Sequence, residues 1–128
     1  LFLWQKEGIM FEFSVEQEGP YIWVNLTGKL IMEDDAKEFM EKTVSLINQN
    51  CNTAVINMQH LNYINSSGFN QLLKILSTTR NHGGDTYLCN INSSIDALLI
   101  TTKLNTIFTI KQETKNLSDF KKKMSYGS

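Results

Sequence analysis

The fold is decided by Thr53-Ala-Val-Ile-Asn-Met58 and by Ser66-Ser-Gly68, which follows it after a polar stretch. The first run is short and mostly apolar, which predicts a buried central strand. Residues 59–65 predict a loop. The second run opens a helix, because apolar residues then recur at helical spacing, namely Phe69, Leu72, Leu73 and Leu76. A strand, a loop and a helix in this order predict one unit of an α/β sheet.

The residues upstream of this unit predict a hairpin and a helix. Phe11–Glu18 alternates apolar and polar side chains, which is the period of a strand. Gly19-Pro20 is a turn signal, and Tyr21–Thr27 predicts a second strand that ends at Gly28. A helix beginning at Glu33 is indicated by one apolar face, formed by Ala36, Phe39, Met40, Val44 and Ile47. We therefore expect an antiparallel hairpin followed by the first helix.

The residues downstream continue the alternation of helix and strand. His82-Gly-Gly84 predicts a helix end with a left-handed glycine cap, and Thr86–Asn90 predicts a strand. Asn92-Ser-Ser94 predicts the cap of a third helix, whose inner face is formed by Ile95, Leu98 and Leu99. Thr106–Ile110 predicts the last strand, and a final helix is marked by Leu117, Phe120 and Met124.

The predicted element order is therefore ββαβαβαβα. It indicates an α/β fold with a mainly parallel sheet of about five strands, an N-terminal antiparallel hairpin and about four helices. The expected core is Phe39, Met40, Val55, Ile56, Phe69, Leu72, Leu73, Leu76, Leu88, Leu98, Leu99 and Phe108. One domain is expected over residues 10–128, because Met10 reads as a natural start and Leu1–Ile9 as an upstream extension.

Composition and charge argue against several classes of protein. The formal net charge of −1 argues against a dedicated nucleic-acid binder. No apolar run approaches the roughly 20 residues needed to span a bilayer, and no signal peptide is visible. We therefore expect a cytoplasmic protein without stable membrane insertion. Cys51 and Cys89 lie far apart in the sequence, which predicts no disulfide.

The sequence offers no recognisable enzyme constellation. It lacks the glycine-rich phosphate loops and the nucleophile elbow of known enzyme classes. The two histidines, His60 and His82, have no partner at metal-ligand spacing, so we expect no metal and no cofactor. Cys89 falls inside a predicted strand and is expected in the core. The sequence therefore predicts a protein that is not an enzyme.

Two adjacent hydroxyls follow the predicted central strand, where ligands and partners gather in open α/β sheets. In the simplest interpretation Ser66 caps the helix and Ser67 fills its first turn. In the other interpretation Ser67 carries a phosphate, since free N–H groups and the helix dipole favour an anion there. That phosphate would add about −1.5 to −2 charges to an exposed surface and repel a docked partner.

The ordered motifs of the chain resemble a known family. They read Gly28-Lys-Leu-Ile31, Val55-Ile-Asn-Met58, Asn65-Ser-Ser-Gly68, Leu72-Leu73, Gly83-Gly84, Tyr87-Leu-Cys-Asn90 and Thr102-Lys-Leu-Asn-Thr-Ile-Phe108. In this order and spacing, between Phe11 and Phe120, they resemble the STAS domain family and, within it, the bacterial anti-sigma factor antagonists. The resemblance implies the STAS fold for the predicted sheet and helices.

The resemblance also implies a role in transcription regulation. Such proteins bind an anti-sigma factor, often a serine kinase, and so release a sigma factor. The kinase phosphorylates the second hydroxyl residue of the motif, which is Ser67 here with Ser66 as its neighbour, and a serine phosphatase resets the protein. The implied partner-binding surface comprises Gly28, Ile31, Ile64, Asn65, Ser66, Ser67, Gly68, Asn70, Gln71 and Lys74.

Two positions depart from the family pattern. Asn65 and Ile31 stand where the family usually has aspartate. Asparagine still accepts hydrogen bonds and can cap the helix, but it supplies no negative charge beside Ser67. Ile31 gives the docking surface an apolar contact in place of a charge, which predicts a partner of non-standard specificity.

Two alternative functions remain open on the sequence. One is a STAS interaction module that acts without phosphorylation, as a scaffold or as a subunit of a lipid-transport complex. The other is an enzyme of flavodoxin-like architecture, for which we find neither a phosphate-cradling loop nor a paired acid and base. The first alternative differs from the phosphorylation-switched antagonist in the use of Ser67.

Overall fold

Five strands form one sheet in the order β1-β2-β3-β4-β5. The structure, a computed structural model, describes residues 10–127 of the chain and the side chains of residues 10–125. The strands are β1 (Phe11–Glu18), β2 (Tyr21–Leu30), β3 (Thr53–Ile64), β4 (Asp85–Cys89) and β5 (Thr109–Lys111). The helices are α1 (Glu33–Val44), α2 (Ser66–Asn81), α3 (Ser93–Thr101) and α4 (Leu117–Gly127), and a 3-10 turn covers Leu104–Thr106.

The pairing of the strands confirms the predicted fold class. β1 and β2 pair antiparallel, whereas β2–β3, β3–β4 and β4–β5 pair parallel. A parallel pair needs a crossover, and here each crossover is supplied by a helix between consecutive strands. The predicted extension Leu1–Ile9 lies outside the described residues. Within those residues, no helix combines the length and the apolar character needed to cross a membrane.

The two faces of the sheet carry different cores, because successive side chains of a strand point to opposite faces. Ile22 and Val24 of β2 pack in the larger cluster, together with side chains of α1, α2 and α3. Trp23 of β2 packs on the other face with Val55, Cys89 and the fully buried Phe120 of α4. The hairpin strand β2 therefore contributes to both cores.

The smaller core explains how the C-terminal helix is attached. The Phe120 ring lies between Tyr21 and Tyr87, with ring centroids 6.1 Å and 5.0 Å apart. Lys121 forms an ion pair with Glu18 of the hairpin. Burial raises the pKa of the Cys89 thiol to about 11, as expected for a core cysteine rather than a reactive one.

Two strands are longer than the sequence predicts. β2 continues through Gly28, which was expected to end it, and β3 covers most of the residues that were expected to form a loop. The two extensions pair with each other, from Thr27 with His60 to Leu30 with Ile64. Register irregularities interrupt the ladder on both sides of Gly28, so the side chains there do not alternate in the simple pattern of a strand.

The smaller corrections concern element ends and core membership. α1 ends at Val44, so Ile47 is buried beyond the helix and not on its face. The last strand begins at Thr109, because a 3-10 turn occupies the residues before it. Three expected core residues are half-buried at the edge of the larger core, namely Met40, Leu73 and Leu98. Helix side chains at the borders of an apolar face keep partial contact with water.

Candidate functional site

The loop between β3 and α2 is closed by Asn65. Its side-chain Oδ1 accepts a hydrogen bond from the Gly68 backbone N–H at 3.2 Å, which makes Asn65 the N-cap of α2. Its Nδ2 donates to the Ile31 carbonyl at 2.9 Å, and its backbone N–H donates to the Leu30 carbonyl at 3.2 Å. The expectation that Ser66 caps the helix is therefore wrong. An amide accepts through its oxygen and donates through its nitrogen, so Asn65 can cap the helix and also bond the end of β2. A serine hydroxyl donates and accepts through one oxygen atom and cannot reach both partners.

Gly68 is required by the close approach of α2 to the ends of the two long strands. A Cβ at this position would lie 2.5 Å from Cγ1 of Ile64 and 3.2 Å from Cδ2 of Leu30. Ile64 is itself buried, with 1% of its surface exposed. Ile64 and Gly68 were predicted to bind a partner, but both belong to the packing beneath the loop. Their burial leaves them no surface for a partner.

Ser66 and Ser67 occupy the first turn of α2, as predicted for the candidate phosphoacceptor. Ser66 is exposed and Ser67 is half-buried. The first ladder bond of the helix runs from the Phe69 N–H to the Asn65 carbonyl at 3.0 Å. The N–H groups of both serines precede that bond and have no partner within the helix. The turn therefore combines two hydroxyls with the positive end of a helix of 16 residues.

One side of α2 continues from Ser67 away from the loop. Asn70, Gln71 and Lys74 follow it at intervals of three, four and seven residues, which places all four side chains on one helical face. Asn70 and Lys74 are exposed and Gln71 is half-buried. Gln71 Oε1 is buried without a hydrogen-bond partner among the described residues. The structure thus brings these three predicted residues next to Ser67, the candidate phosphoacceptor.

The end of β2 forms the other border of the site. Ile31 is half-buried, and its carbonyl accepts from Asn65, so this predicted residue is held against the loop. Gly28 lies within the strand at φ +95°, and a Cβ there would lie 2.1 Å from the Met10 carbonyl oxygen. Gly28 was predicted to contact a partner from a turn, whereas it permits a close backbone approach between β1 and β2.

Two exposed apolar residues at this border were missed by the sequence analysis. Met32 is 55% exposed and follows Ile31, and Tyr63 is 44% exposed and pairs with Lys29 in the sheet. Tyr63 fell in a stretch that the sequence assigned to a loop. The sequence offered one indication of them. Met32 follows Ile31 and Tyr63 precedes Ile64, and both isoleucines were predicted to belong to the site.

A second turn of the same sequence lies at the start of α3. Asn92 Oδ1 accepts from the Ile95 N–H at 2.8 Å, and Asn92 Nδ2 donates to the Leu61 carbonyl at 3.1 Å. Ser93 and Ser94 are both exposed. The Asn-Ser-Ser turns of α2 and α3 are therefore capped in the same way, at the carboxyl ends of consecutive strands.

The arrangement presents hydroxyl and amide groups that can bind a partner or be modified. Within residues 10–127, no three His, Cys, Asp or Glu side chains are grouped so that they could hold a metal ion. The two buried thiols, Cys51 and Cys89, have pKa values raised by burial. His60 is exposed on β3, outside the loop that carries the serines.

Known proteins share this fold. The chain is similar to the anti-sigma factor antagonist SpoIIAA in its unphosphorylated form, with a TM-score of 0.76 and 18% identity over 91% of this chain and 98% of SpoIIAA. It is similar to the Bacillus cell fate determinant SpoIIAA in the phosphorylated form, with a TM-score of 0.65 and 15% identity over 88% and 99% of the two chains. It is also similar to the murine Slc26a9 anion transporter, with a TM-score of 0.61 and 13% identity over 78% of this chain and 20% of the transporter.

These likenesses concern the fold, since the sequence identities are low. The sequence match is carried by a family model, that of the STAS domain, which covers residues 12–117 of the chain. That range includes all five strands except the first residue of β1, the loop with both serines, and the first three helices. With most of its length matched in this way, the chain belongs to the STAS domain family.

Proposed function

We propose that this protein is a bacterial, cytoplasmic anti-sigma factor antagonist that binds an anti-sigma factor of the serine-kinase type and so releases a sigma factor. Phosphorylation of Ser67 ends the interaction, and a serine phosphatase restores it. The observation that carries the proposal is the Asn65-capped turn, which presents Ser67 at the carboxyl edge of the sheet in a STAS-family fold. The similarity to SpoIIAA, whose structure is known in unphosphorylated and phosphorylated forms, supports it.

The first turn of α2 can accept a phosphate without refolding. The free N–H groups of Ser66 and Ser67 and the positive end of the helix dipole favour an anion there, by about 0.3–1 kcal/mol at an exposed position. No acidic side chain lies in this turn to repel it. A phosphate on Ser67 would therefore change the docking surface more than the stability of the protein.

The replacement of aspartate by Asn65 separates two roles of the loop residue. The geometric role is kept, because Asn65 caps α2 and holds the end of β2 through its amide. The electrostatic role is absent, because an amide carries no charge beside Ser67. We therefore expect Asn65→Asp to keep the cap on the Gly68 N–H, to lose the hydrogen bond to the Ile31 carbonyl because a carboxylate cannot donate, and to alter the rate of phosphorylation by the kinase.

The proposal is tested by binding and phosphorylation of the full chain with the purified anti-sigma kinase encoded in the same genome. We expect Ser67→Ala to bind like the wild type and Ser67→Asp to bind at least about tenfold more weakly, a loss of about 1.4 kcal/mol. Ser94→Ala and Ser94→Asp are matched controls, because Ser94 occupies the same position in an Asn-capped first turn. Titration calorimetry measures the affinities.

Phosphopeptide mass spectrometry after incubation with the kinase and Mg-ATP provides the second readout. Phosphate on Ser67, absent in Ser67→Ala and unaffected in Ser94→Ala, is the expected result. If no anti-sigma kinase of that genome binds the wild-type protein, the proposed function is wrong.

The second candidate function is a phosphorylation-independent interaction module, a scaffold or a lipid-transport subunit. It is favoured by the absence of carboxylates at Asn65 and Ile31, and by the occurrence of a similar fold within the chain of an anion transporter. In that case Ser67→Asp and Ser67→Ala bind the partner equally well. Equal binding of both variants would show that the protein acts as an interaction module that does not depend on phosphorylation of Ser67.

A further inference from the structure

The sheet ends on one side at β1, whose outer edge has no strand paired to it among the described residues. β1 is first in the strand order and pairs with β2 alone. Such an edge offers a row of N–H and C=O groups to which another extended chain can bond, and proteins usually protect it with a proline, a lysine, a bulge or a very short strand. β1 has eight residues, contains neither proline nor lysine, and pairs with β2 without a register shift.

The register shows which backbone groups of β1 lie on the outer edge. The Lys29 N–H donates to the Met10 carbonyl at 2.6 Å, just before β1 begins, and a turn of two residues joins Glu18 to its sheet partner Tyr21. Both positions are hydrogen-bonded pairs, which alternate with non-hydrogen-bonded pairs along an antiparallel ladder. The even-numbered residues of β1 therefore bond β2. The N–H and C=O groups of the odd-numbered residues point away from the sheet, namely those of Phe11, Phe13, Val15 and Gln17.

A groove of about 540 Å³ runs along this edge, lined by β1, β2 and α1. On the face towards α1 lie the half-buried rings of Phe11 and Phe13, which are stacked with centroids 6.0 Å apart and pack edge-on against Phe39. The opposite face contributes polar side chains of both strands, namely Glu12, Ser14, Asn25 and Thr27. The edge therefore combines free backbone groups with an apolar surface that a further strand can cover.

The charged side chains that line the groove, among the residues that the structure describes, are all carboxylates. They are Glu12 on β1 and Asp35 and Glu38 on α1. Glu16 adds an exposed carboxylate on the face of β1 that carries Glu12. No ion pair among the side chains of residues 10–125 involves any of these four. A strand added to this edge therefore meets uncompensated negative charge.

The lysines around the hairpin lie outside the groove. Lys29 of β2 lies beyond the first residue of β1, and Lys121 is paired with Glu18 at the last residue. Lys37 and Lys42 are exposed on α1 and do not line the groove. The negative charge is therefore concentrated along the middle of the edge, where a bound strand would lie.

The same carboxylates argue against a second copy of the chain as the occupant. Antiparallel pairing of two β1 strands about Ser14 places Glu12 of each copy opposite Glu16 of the other. Like charges in directly opposite positions destabilise a strand pair, whereas opposite charges stabilise it. A segment that alternates basic and apolar residues suits the edge better, because its basic side chains face these glutamates and its apolar side chains cover Phe11 and Phe13.

We infer that the outer edge of β1 is a docking site for an extended basic segment of another protein, which adds one strand to the sheet. The backbone of that segment bonds the free N–H and C=O groups of β1, and its charge complements Glu12 and Glu16. The loop with Ser67 follows β3, which β2 separates from β1. The inference therefore adds a second site to the proposed function and does not depend on it.

The probe that tests the inference is a synthetic peptide of about eight residues in which lysine and valine alternate. Titration calorimetry measures its binding to the full chain at about 0.05 M salt. One control peptide has glutamate in place of lysine. Another carries N-methyl groups on all amides, which keeps the side chains but removes every N–H donor. We expect the lysine peptide to bind, the glutamate peptide not to bind, and the N-methylated peptide to bind at least about tenfold more weakly.

Amide hydrogen exchange followed by NMR shows where the peptide binds. The lysine peptide should slow the exchange of the N–H groups of Phe11, Phe13 and Val15, because they gain hydrogen bonds to it. The N–H groups of Glu12 and Ser14 should change little, because they already bond β2. A bound peptide that protects none of the outer-edge amides would overturn the inference.

A pair of double variants tests the part played by charge. Glu12→Gln with Glu16→Gln should weaken binding of the lysine peptide at least about fivefold. The matched control, Glu33→Gln with Glu113→Gln, removes the same charge from exposed positions outside the groove and should bind within about twofold of the wild type. Circular dichroism confirms that the variants are folded.

Four further outcomes would overturn the inference. The lysine peptide fails to bind, or the N-methylated peptide binds as tightly, which leaves no role for backbone pairing. Equal weakening by both double variants would mean general attraction to an acidic protein. Sedimentation velocity of the free chain tests the other occupant, and a dimer that the lysine peptide dissociates would assign the edge to a second copy.

Discussion

The first turns of α2 and α3 have the same sequence and the same cap, yet their surroundings differ. Asn65-Ser-Ser and Asn92-Ser-Ser each begin a helix after a parallel strand, and each asparagine bonds a backbone N–H of its helix and a carbonyl of another strand. The residue that follows is Gly68 in α2 and Ile95 in α3. Gly68 lets its helix approach Ile64 and Leu30, whereas Ile95 inserts a side chain into the larger core.

The residues around each turn therefore decide what the same motif can do. The turn of α2 is tied to the end of β2 through Asn65, and its Ser67 is half-buried. The turn of α3 has exposed serines and lies at the end of a shorter helix of nine residues. Both turns offer a hydroxyl at the positive end of a helix, and the proposed function assigns the docking role to the first.

The largest difference in stability is expected from Ile95→Ala. Ile95 is fully buried, so removing its side chain leaves a cavity and should lower the free energy of unfolding by about 2–5 kcal/mol. Urea denaturation measures the loss. Ile100→Ala, at a position of the same helix that is 55% exposed, is the control and should change the free energy by less than about 0.5 kcal/mol. A loss below about 1 kcal/mol for Ile95→Ala would mean that α3 is not anchored through this residue.

A smaller decrease in the free energy of unfolding is expected from Gly68→Ala. The added methyl group overlaps the Ile64 side chain, and overpacking of this kind lowers the free energy of unfolding by about 1–3 kcal/mol. The double-mutant cycle with Ile64→Ala tests the cause, because that substitution removes the Cγ1 and Cδ1 atoms that the methyl group would overlap. Additive losses in that cycle would show that α2 does not approach the strands as closely as described.

A comparable decrease in the free energy of unfolding is expected when either helix-capping asparagine is replaced by alanine. Asn65→Ala and Asn92→Ala each remove one cap and one bond to another strand, so each should lower the free energy of unfolding by about 1 kcal/mol. Only Asn65→Ala should also weaken binding of the anti-sigma factor, since it releases Ile31. Equal effects of both variants on binding would remove the functional distinction between the turns.

The smallest effect on stability is expected from the phosphate mimics. Ser67→Asp and Ser94→Asp each place a carboxylate near the positive end of a helix. Each should raise the free energy of unfolding by about 0.3–1 kcal/mol. The two values should agree within about 0.5 kcal/mol by differential scanning calorimetry at low salt. A marked destabilisation by Ser67→Asp alone would show that the mimic distorts the loop, and its effect on binding would then need another explanation.

Local patterns predicted most of the fold. The alternation in Phe11–Glu18 and the turn at Gly19-Pro20 predicted β1 and the hairpin, and helical spacing predicted α1 and α2. The extensions of β2 and β3 could not be predicted, because their pairing across irregular positions depends on two segments that are far apart in the chain. The sequence predicted full burial for three residues that are half-buried, namely Met40, Leu73 and Leu98. Helical spacing identifies the apolar face of a helix but not the borders of that face.

The candidate site was predicted in part. The sequence placed Ser67 in a first helical turn, and the residues that follow it on one face of α2 were identified correctly as neighbours. One interpretation assigned the cap to Ser66, because Asn65 and Ser66 are adjacent and both residue types cap helices, so the sequence does not choose between them. Ile64 and Gly68 were taken as surface residues, because their burial depends on the approach of α2 to the strands.

The sequence by itself determined the order of elements, the parallel sheet and the position of the Ser66-Ser67 pair, because periodicity and turn residues act over a few neighbours along the chain. The tertiary structure alone decided how Asn65 ties α2 to the end of β2, which glycine permits close packing, and which large apolar side chains remain exposed. These properties depend on contacts between residues such as Ile31 and Asn65, which are 34 positions apart and meet only when the sheet has formed.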